Sequence, residues 1–115
     1  LERLDAVVVN GTRAHRLPQV SNLLFRYLDG EALLLRLGPR LAVSAGSACT
    51  AATVQPSHVL QAMGRTADEA FASLRFSLGR YTTQSEIRRA EELIAGAVHL
   101  LRRQSPLWAR HRSAV

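Results

Sequence analysis

The sequence predicts an α+β domain, a small mixed sheet covered by helices. Three observations predict it. Short runs with strand character alternate along the chain with runs of helical character. Near the C-terminus, Ile87, Ala90, Ile94, Ala97, Val98 and Leu101 recur at helical spacing and form one apolar stripe. The chain has 115 residues, 47% hydrophobic and 21% charged, which suits one soluble domain with one core.

The elements follow in order. Residues 6–11, AVVVNG, read as a short strand running into an Asn-Gly hairpin turn. Residues 22–27, NLLFRY, are a second strand candidate. Residues 29–39 read as a helix capped by Asp29, favoured by Glu31 at its positive end and stopped by Gly38-Pro39. Residues 40–44, RLAVS, read as a short strand leading into SAGSACTAAT, residues 44–53. Residues 56–64 predict a short helix, with Pro56 in its first turn and Gly64 at its end. Thr66 and Glu69 have capping-box spacing for a helix over about 67–72. Residues 73–79 alternate strictly: Leu74, Phe76 and Leu78 on one face, Ser73, Arg75 and Ser77 on the other. Thr83 and Glu86 open the longest helix. Its stripe predicts helices packed on one side of the sheet, with this helix as the main cover and a charge at Ile94 badly tolerated.

Charge narrows the chemistry. The formal net charge is +6, and all 15 basic residues are arginine. Without a lysine amine, this chain cannot form the Schiff base that anchors pyridoxal phosphate. The arginines are spread, and the densest group, Arg102, Arg103, Arg110 and Arg112, reads as a solvated basic tail. Aromatic residues make up 5%, too few for an interleaved base-stacking platform, so no nucleic-acid partner is expected. No apolar run approaches the roughly 18 residues of a spanning helix, so no membrane partner is expected. No secretory signal pattern is present. A single cysteine makes no internal disulfide, and a reducing cytoplasmic setting is the expectation. There the Asn10-Gly11-Thr12 glycosylation pattern is idle.

Two residues are candidates for chemistry. A lone cysteine is most often a small buried hydrophobe. Cys49 instead sits among serines, alanines, threonines and Gly46, where no periodic apolar pattern is interrupted. That composition suits a mobile loop that exposes and carries a thiol. Reactivity would further require a lowered thiol pKa. Arg75 lies mid-strand on the polar face between Ser73 and Ser77. Arginine there is usually solvated or paired. The alternative is a clamp for a carboxylate, which the planar guanidinium suits and a rigid strand supports. His15, His58, His99 and His111 show no metal-ligand spacing with one another or with Cys49, so no metal is expected.

These segments resemble a known family. SAGSACTAATVQPSHVLQAMG, residues 44–64, is similar to the active-site cysteine segment of cysteine desulfurases. These are the NifS/IscS-like members of the class V, fold type I, superfamily of pyridoxal-phosphate-dependent transferases. LRFSLGRYTTQSEI (74–87) is similar to their second C-terminal signature. HRLPQVSNLLF (15–25), DGEALLL (29–35) and SPLW (105–108) match further segments in the right order. The resemblance implies that residues 1–115 form the C-terminal small domain only, with the large pyridoxal-phosphate-binding domain absent.

The resemblance also implies a function. The full-length parent would convert L-cysteine to L-alanine with pyridoxal phosphate and pass the sulfur to an active-site cysteine persulfide. Sulfur-acceptor or scaffold proteins would then receive it, for iron–sulfur clusters or other sulfur metabolism. Cys49 matches the persulfide-forming residue, and Arg75 matches the arginine that holds the substrate carboxylate. The cysteine loop resembles the subgroup in which it is long and flexible. Full-length members are homodimers. The chain alone is expected to bind no cofactor and to be inactive, with apolar surface exposed where the large domain docks. A non-enzymatic sulfur-relay domain and a related enzyme such as selenocysteine lyase are the alternatives. The match has departures. Many members read Pro-Gly-Asn-x-Asn where this chain has Pro18-Gln19-Val20-Ser21-Asn22, so no binding role is carried over there. Ala45 stands in place of a frequent Ser.

Overall fold

The computed structural model describes residues 4–45, 47–49 and 54–114. In chain order the elements are β1 (Val7–Val9), β2 (Val20–Phe25), α1 (Gly30–Leu37), β3 (Ser44–Ala45), β4 (Ser47–Cys49), β5 (Val54–Pro56), α2 (His58–Ala62), α3 (Ala67–Phe71), β6 (Ser73–Ser77), α4 (Gln84–Arg103) and α5 (Pro106–Ser113). A four-stranded sheet runs in the order β1-β2-β6-β3, and β4 and β5 form a separate two-stranded ribbon. Each pairing between these strands is antiparallel.

Local rules set most boundaries. The Asp29 carboxylate accepts from the backbone N–H groups of Glu31 and Ala32 and caps α1. Both capping boxes form, Thr66 with Glu69 and Thr83 with Glu86. Gly64 ends α2 with φ +92°, and Gly64 and Arg65 N–H bond back to Gln61 and Leu60. This is the left-handed cap that glycine makes without strain. Gly30 starts α1 hard against α3, where a Cβ would run into the Phe71 carbonyl oxygen.

Alternation on β2 and β6 divides the sheet into two faces. Leu23, Phe25 and Leu74 join Leu33, Leu37, Ile94 and Val98 in the main core, beneath α1 and α4. Phe25 meets Phe76 edge to face, with centroids 6.3 Å apart. Leu24 and Ser73 are opposite one another on the second face. Both are fully buried, and α2 and α3 contribute buried Leu60 and Ala70. Helices therefore lie on both sides of the sheet, where the sequence suggested one. The reason is that short α2 and α3 carry too few apolar residues to announce a core-facing stripe.

Several expectations are corrected. Asn10 and Gly11 form a bend, with Gly11 at φ +87°, rather than the turn of a two-residue hairpin. The chain wanders through residues 10–19 before β2 begins. Asn10 is drawn inward, while Arg16 Nη2 donates to the Val20 carbonyl at 2.9 Å and the Ser21 hydroxyl at 2.6 Å. Residues 40–44 become a strand only at Ser44, because Arg40 and Leu41 N–H still bond to the Leu37 carbonyl. Pro56 ends β5 rather than starting α2; Ser57 takes the cap, accepting from Leu60 N–H at 3.3 Å.

The stretch around Cys49 departs from a plain loop. Ser47, Ala48 and Cys49 pair with Pro56, Gln55 and Val54. A ladder satisfies backbone groups that such small side chains cannot shield. The rest of the expected loop, Gly46 and residues 50–53, lies outside the described residues.

The C-terminal arginines do not form a uniform solvated tail. Arg102 is 2% exposed. Its Nε donates to the Arg26 carbonyl at 3.1 Å, Nη1 to Asp5 at 2.6 Å and Nη2 to Ala6 at 3.1 Å. The guanidinium carbon lies 4.6 Å from the centre of the Trp108 ring. Trp108 comes from α5, a helix the sequence left unrecognised; Pro106 starts it after a break at Gln104-Ser105. His111, also on α5, stacks on Tyr27 at 4.3 Å between centroids.

Candidate functional site

Arg75 stands in the middle of β6, on the face away from the main core. Two neighbouring strands flank it. Asn22 of β2 is its direct partner on one side, and Ser44 of β3 on the other. Direct antiparallel partners share a face, with Cβ atoms about 5 Å apart. Three polar side chains thus line up across three strands. Among the described residues Arg75 has one side-chain hydrogen bond, from Nη2 to the Ser44 hydroxyl, and at 3.4 Å it is long. The remaining guanidinium N–H groups point to no described partner, and the side chain is exposed.

An open cleft of about 420 Å³ lies over this row. Arg75, Asn22 and Asn10 form its floor, and Ser57, Val59 and Met63 are on its α2 side. Val59 and Met63 are exposed although apolar, at 56% and 49%. The cleft therefore joins a cation to an apolar wall, the mixture that holds a small organic anion.

A buried polar chain runs beside the cleft. Arg65 Nε donates to Asn10 Oδ1 at 2.7 Å. Asn10 Nδ2 donates to Asn22 Oδ1 at 2.8 Å and to Ser73 Oγ at 3.0 Å. Ser73 donates in turn to the Glu69 carbonyl at 2.8 Å. The Glu69 carboxylate caps α3 and accepts from Arg26 at 3.1 Å. Its pKa lies below the usual carboxylate range, chiefly because the Thr66 backbone N–H bonds to it, against a partial opposing effect of burial. The sequence places Ser73 on the polar face of its strand and offers for Asn10 a turn and an idle glycosylation pattern. The missed signal is that a β-strand serine and an Asn-Gly asparagine both carry groups able to satisfy one another once buried.

Cys49 ends β4, opposite Val54; its side chain lies outside what is described. Topology still limits its distance from Arg75. Ser44 is paired with Arg75, and Cys49 follows five residues later, at most about 18 Å of extended chain from Ser44. The chain brings no residue that could anchor pyridoxal phosphate covalently, because it has no lysine. Among the described residues no group of three His, Cys, Asp or Glu side chains could hold a metal ion. No described helix is long and apolar enough to cross a membrane.

Comparison with known proteins gives these residues a context. The aminotransferase class-V family pattern matches residues 1–90. The cysteine desulfurase IscS of Proteus mirabilis is 46% identical over 115 residues, all of this chain and 28% of that protein. The cysteine desulfurase IscS of Pseudomonas putida is 44% identical over the same span, again 28% of its length. In three dimensions a NifS-like protein from Rickettsia africae superposes with a TM-score of 0.66 at 27% identity, covering 83% of this chain and 25% of that one. A second NifS-like protein matches with a TM-score of 0.60 at 24% identity, which speaks to the fold alone. The chain thus spans about a quarter of the length of the relatives it matches.

Proposed function

Because the chain belongs to the aminotransferase class-V family, we propose that it is the C-terminal small domain of a cysteine desulfurase. In this reading the whole enzyme takes sulfur from L-cysteine, leaving L-alanine. Cys49 receives that sulfur as a persulfide and hands it to an acceptor protein. Arg75 holds the substrate carboxylate.

The observation that carries the reading is the placement of Arg75. A guanidinium in the middle of a rigid sheet, open to a cleft and held among the described residues only by a long bond to Ser44, is ready to meet an anion. The chain path adds to it. β3 pairs with Arg75 and leads directly into the ribbon that carries Cys49.

Within that scheme the residues of this chain have limited tasks. Arg75 orients the substrate by its carboxylate. Cys49 as thiolate attacks the substrate sulfur: an S–S bond forms, the C–S bond breaks and the carbon takes up a proton. Pyridoxal phosphate supplies the electron sink for that cleavage, and the family is dependent on it. Its covalent anchor is not among these residues, so no step through the cofactor is assigned to them. The exposed Val59 and Met63 fit a surface that a larger domain covers.

The experiment has two arms. Given pyridoxal phosphate and L-cysteine, the chain alone releases neither alanine nor sulfide; turnover would overturn the division of labour. Given a low-molecular-weight persulfide, Cys49 gains the mass of one sulfur atom, and Cys49→Ser does not. An unmodified Cys49 would remove it as the sulfur carrier.

A further inference from the structure

The hydrogen-bond chain beside the cleft fixes which way the Asn22 amide points. An arginine nitrogen only donates. Arg65 Nε at 2.7 Å therefore requires Oδ1 at that end of Asn10. The Asn10 NH₂ is then turned the other way, toward Ser73 and Asn22. Ser73 gives its own proton to the Glu69 carbonyl and so accepts from Asn10. Asn22 must likewise present its oxygen to Asn10. Each step is forced by the one before it, and Asn10, 8% exposed, has no second orientation that keeps the bonds.

The consequence falls on the other end of Asn22. Its NH₂ is turned away from Asn10 and finds no partner among the described residues. Asn22 is only half-buried, lines the cleft, and is the cross-strand partner of Arg75. Two sets of donors therefore stand side by side on one floor. One is the guanidinium, with a single long bond among the described residues. The other is an amide whose orientation is already set.

We propose that Asn22 is a second ligand for the carboxylate bound by Arg75, donating through Nδ2, and that Asn10 is the positioning residue that aims it. The proposal rests on the carboxylate reading of Arg75. It adds a neutral donor next to the cation, so that a carboxylate receives a guanidinium on one oxygen and an amide N–H on the other. The ligand class is a small α-amino acid or another short carboxylate, since one wall of the cleft is apolar. Fixing Asn22 before binding removes the entropy of ordering it afterwards.

The test is a titration of the ¹⁵N-labelled chain with L-alanine, followed at the Asn22 side-chain amide and at Arg75 Nε. L-alaninamide, which lacks the carboxylate, serves as the control. Both signals are expected to move along one isotherm with L-alanine, and neither with the amide. Asn22→Ala should weaken binding about tenfold, the worth of one hydrogen bond to a charged group. Asn10→Asp keeps the acceptor for Arg65 and loses the donors to Asn22. It should broaden or collapse the Asn22 amide signal, which a purely structural role would not do.

The outcomes separate. If Arg75 Nε shifts and the Asn22 amide stays still, or Asn22→Ala binds as the wild type does, Asn22 is not a ligand and the reading of Arg75 stands. If neither wild-type signal moves with L-alanine, or Arg75→Ala binds unchanged, the carboxylate reading of Arg75 falls and takes this proposal with it. Should Asn22→Ala fail to fold, the wild-type amide signal decides alone.

Discussion

Arg102 and Arg75 are the same residue in opposite settings. Arg102 is buried, its three nitrogens bond to the carbonyls of Arg26, Asp5 and Ala6, and its flat face lies on Trp108. Arg75 is exposed, held among the described residues by one long bond, and faces a cleft. A buried guanidinium has left water and must recover its hydrogen bonds inside the protein. Burial does lower the Arg102 pKa, with Asp5 and Tyr27 opposing the shift. An exposed guanidinium can leave its donors to water until an anion displaces it. The pair teaches that the fold, rather than residue type, decides whether a guanidinium is satisfied internally or left with donors to offer.

The sharpest way to break the comparison is Arg102→Ala. It strands the Asp5, Ala6 and Arg26 carbonyls and should cost about 3 kcal/mol or more in urea unfolding. A loss below about 1 kcal/mol would show that water replaces the guanidinium easily. Next comes Trp108→Ala, which removes the ring from the Arg102 face and should cost about 1–2 kcal/mol. Arg102→Ala and Trp108→Ala together should lose less than the sum, because both act on one contact.

A smaller effect tests the link between the two sites. Arg26 gives its carbonyl to Arg102 and its side chain to Glu69. The Glu69 carboxyl has a lower pKa folded than unfolded, so its ionised form favours the fold. That contribution is present above the unfolded value of about 4.3 and lost as pH falls through the lowered folded value. Glu69→Gln should therefore cost about 0.5 kcal/mol at neutral pH and close the gap with the wild type in acid. An equal gap across an acid titration would argue that capping, which glutamine retains, outweighs the charge. The smallest effect is on stability at the other arginine. Arg75→Ala should change unfolding free energy by no more than about 0.5 kcal/mol while abolishing carboxylate binding. A large stability loss would place Arg75 beside Arg102 as a structural residue.

Much of the fold was legible because its signals are local. Asp29, Thr66 with Glu69 and Thr83 with Glu86 announce their helices within four residues, and the alternation of 73–77 announces β6. The apolar stripe of α4 was equally plain; Ile94, Ala97 and Val98 are buried as it requires. What escaped depends on residues far apart in sequence. Asn10 and Ser73 are 63 positions apart, and neither predicts the other. Arg102 sits beside Arg103 in a run of like charge; only the fold turns one inward and leaves the other outside. At the candidate site, Arg75 was readable as a candidate from its place on a strand and from the family resemblance. Asn22 was not, since its partner lies across the sheet and its amide orientation is fixed elsewhere.

The Arg102 contacts also bear on how the chain acquires its shape. They join residues 97 and 96 positions apart, at Asp5 and Ala6. Closing so long a loop has an entropy cost that must be met before the contact returns anything. Helices α1, α3 and α4 carry their own caps and can begin locally, whereas this clasp needs both ends of the described chain already in place. It should therefore fasten late. A variant at Arg102 would then unfold faster while folding at nearly the wild-type rate, and the ratio of its change in folding barrier to its change in stability would read how late the clasp closes.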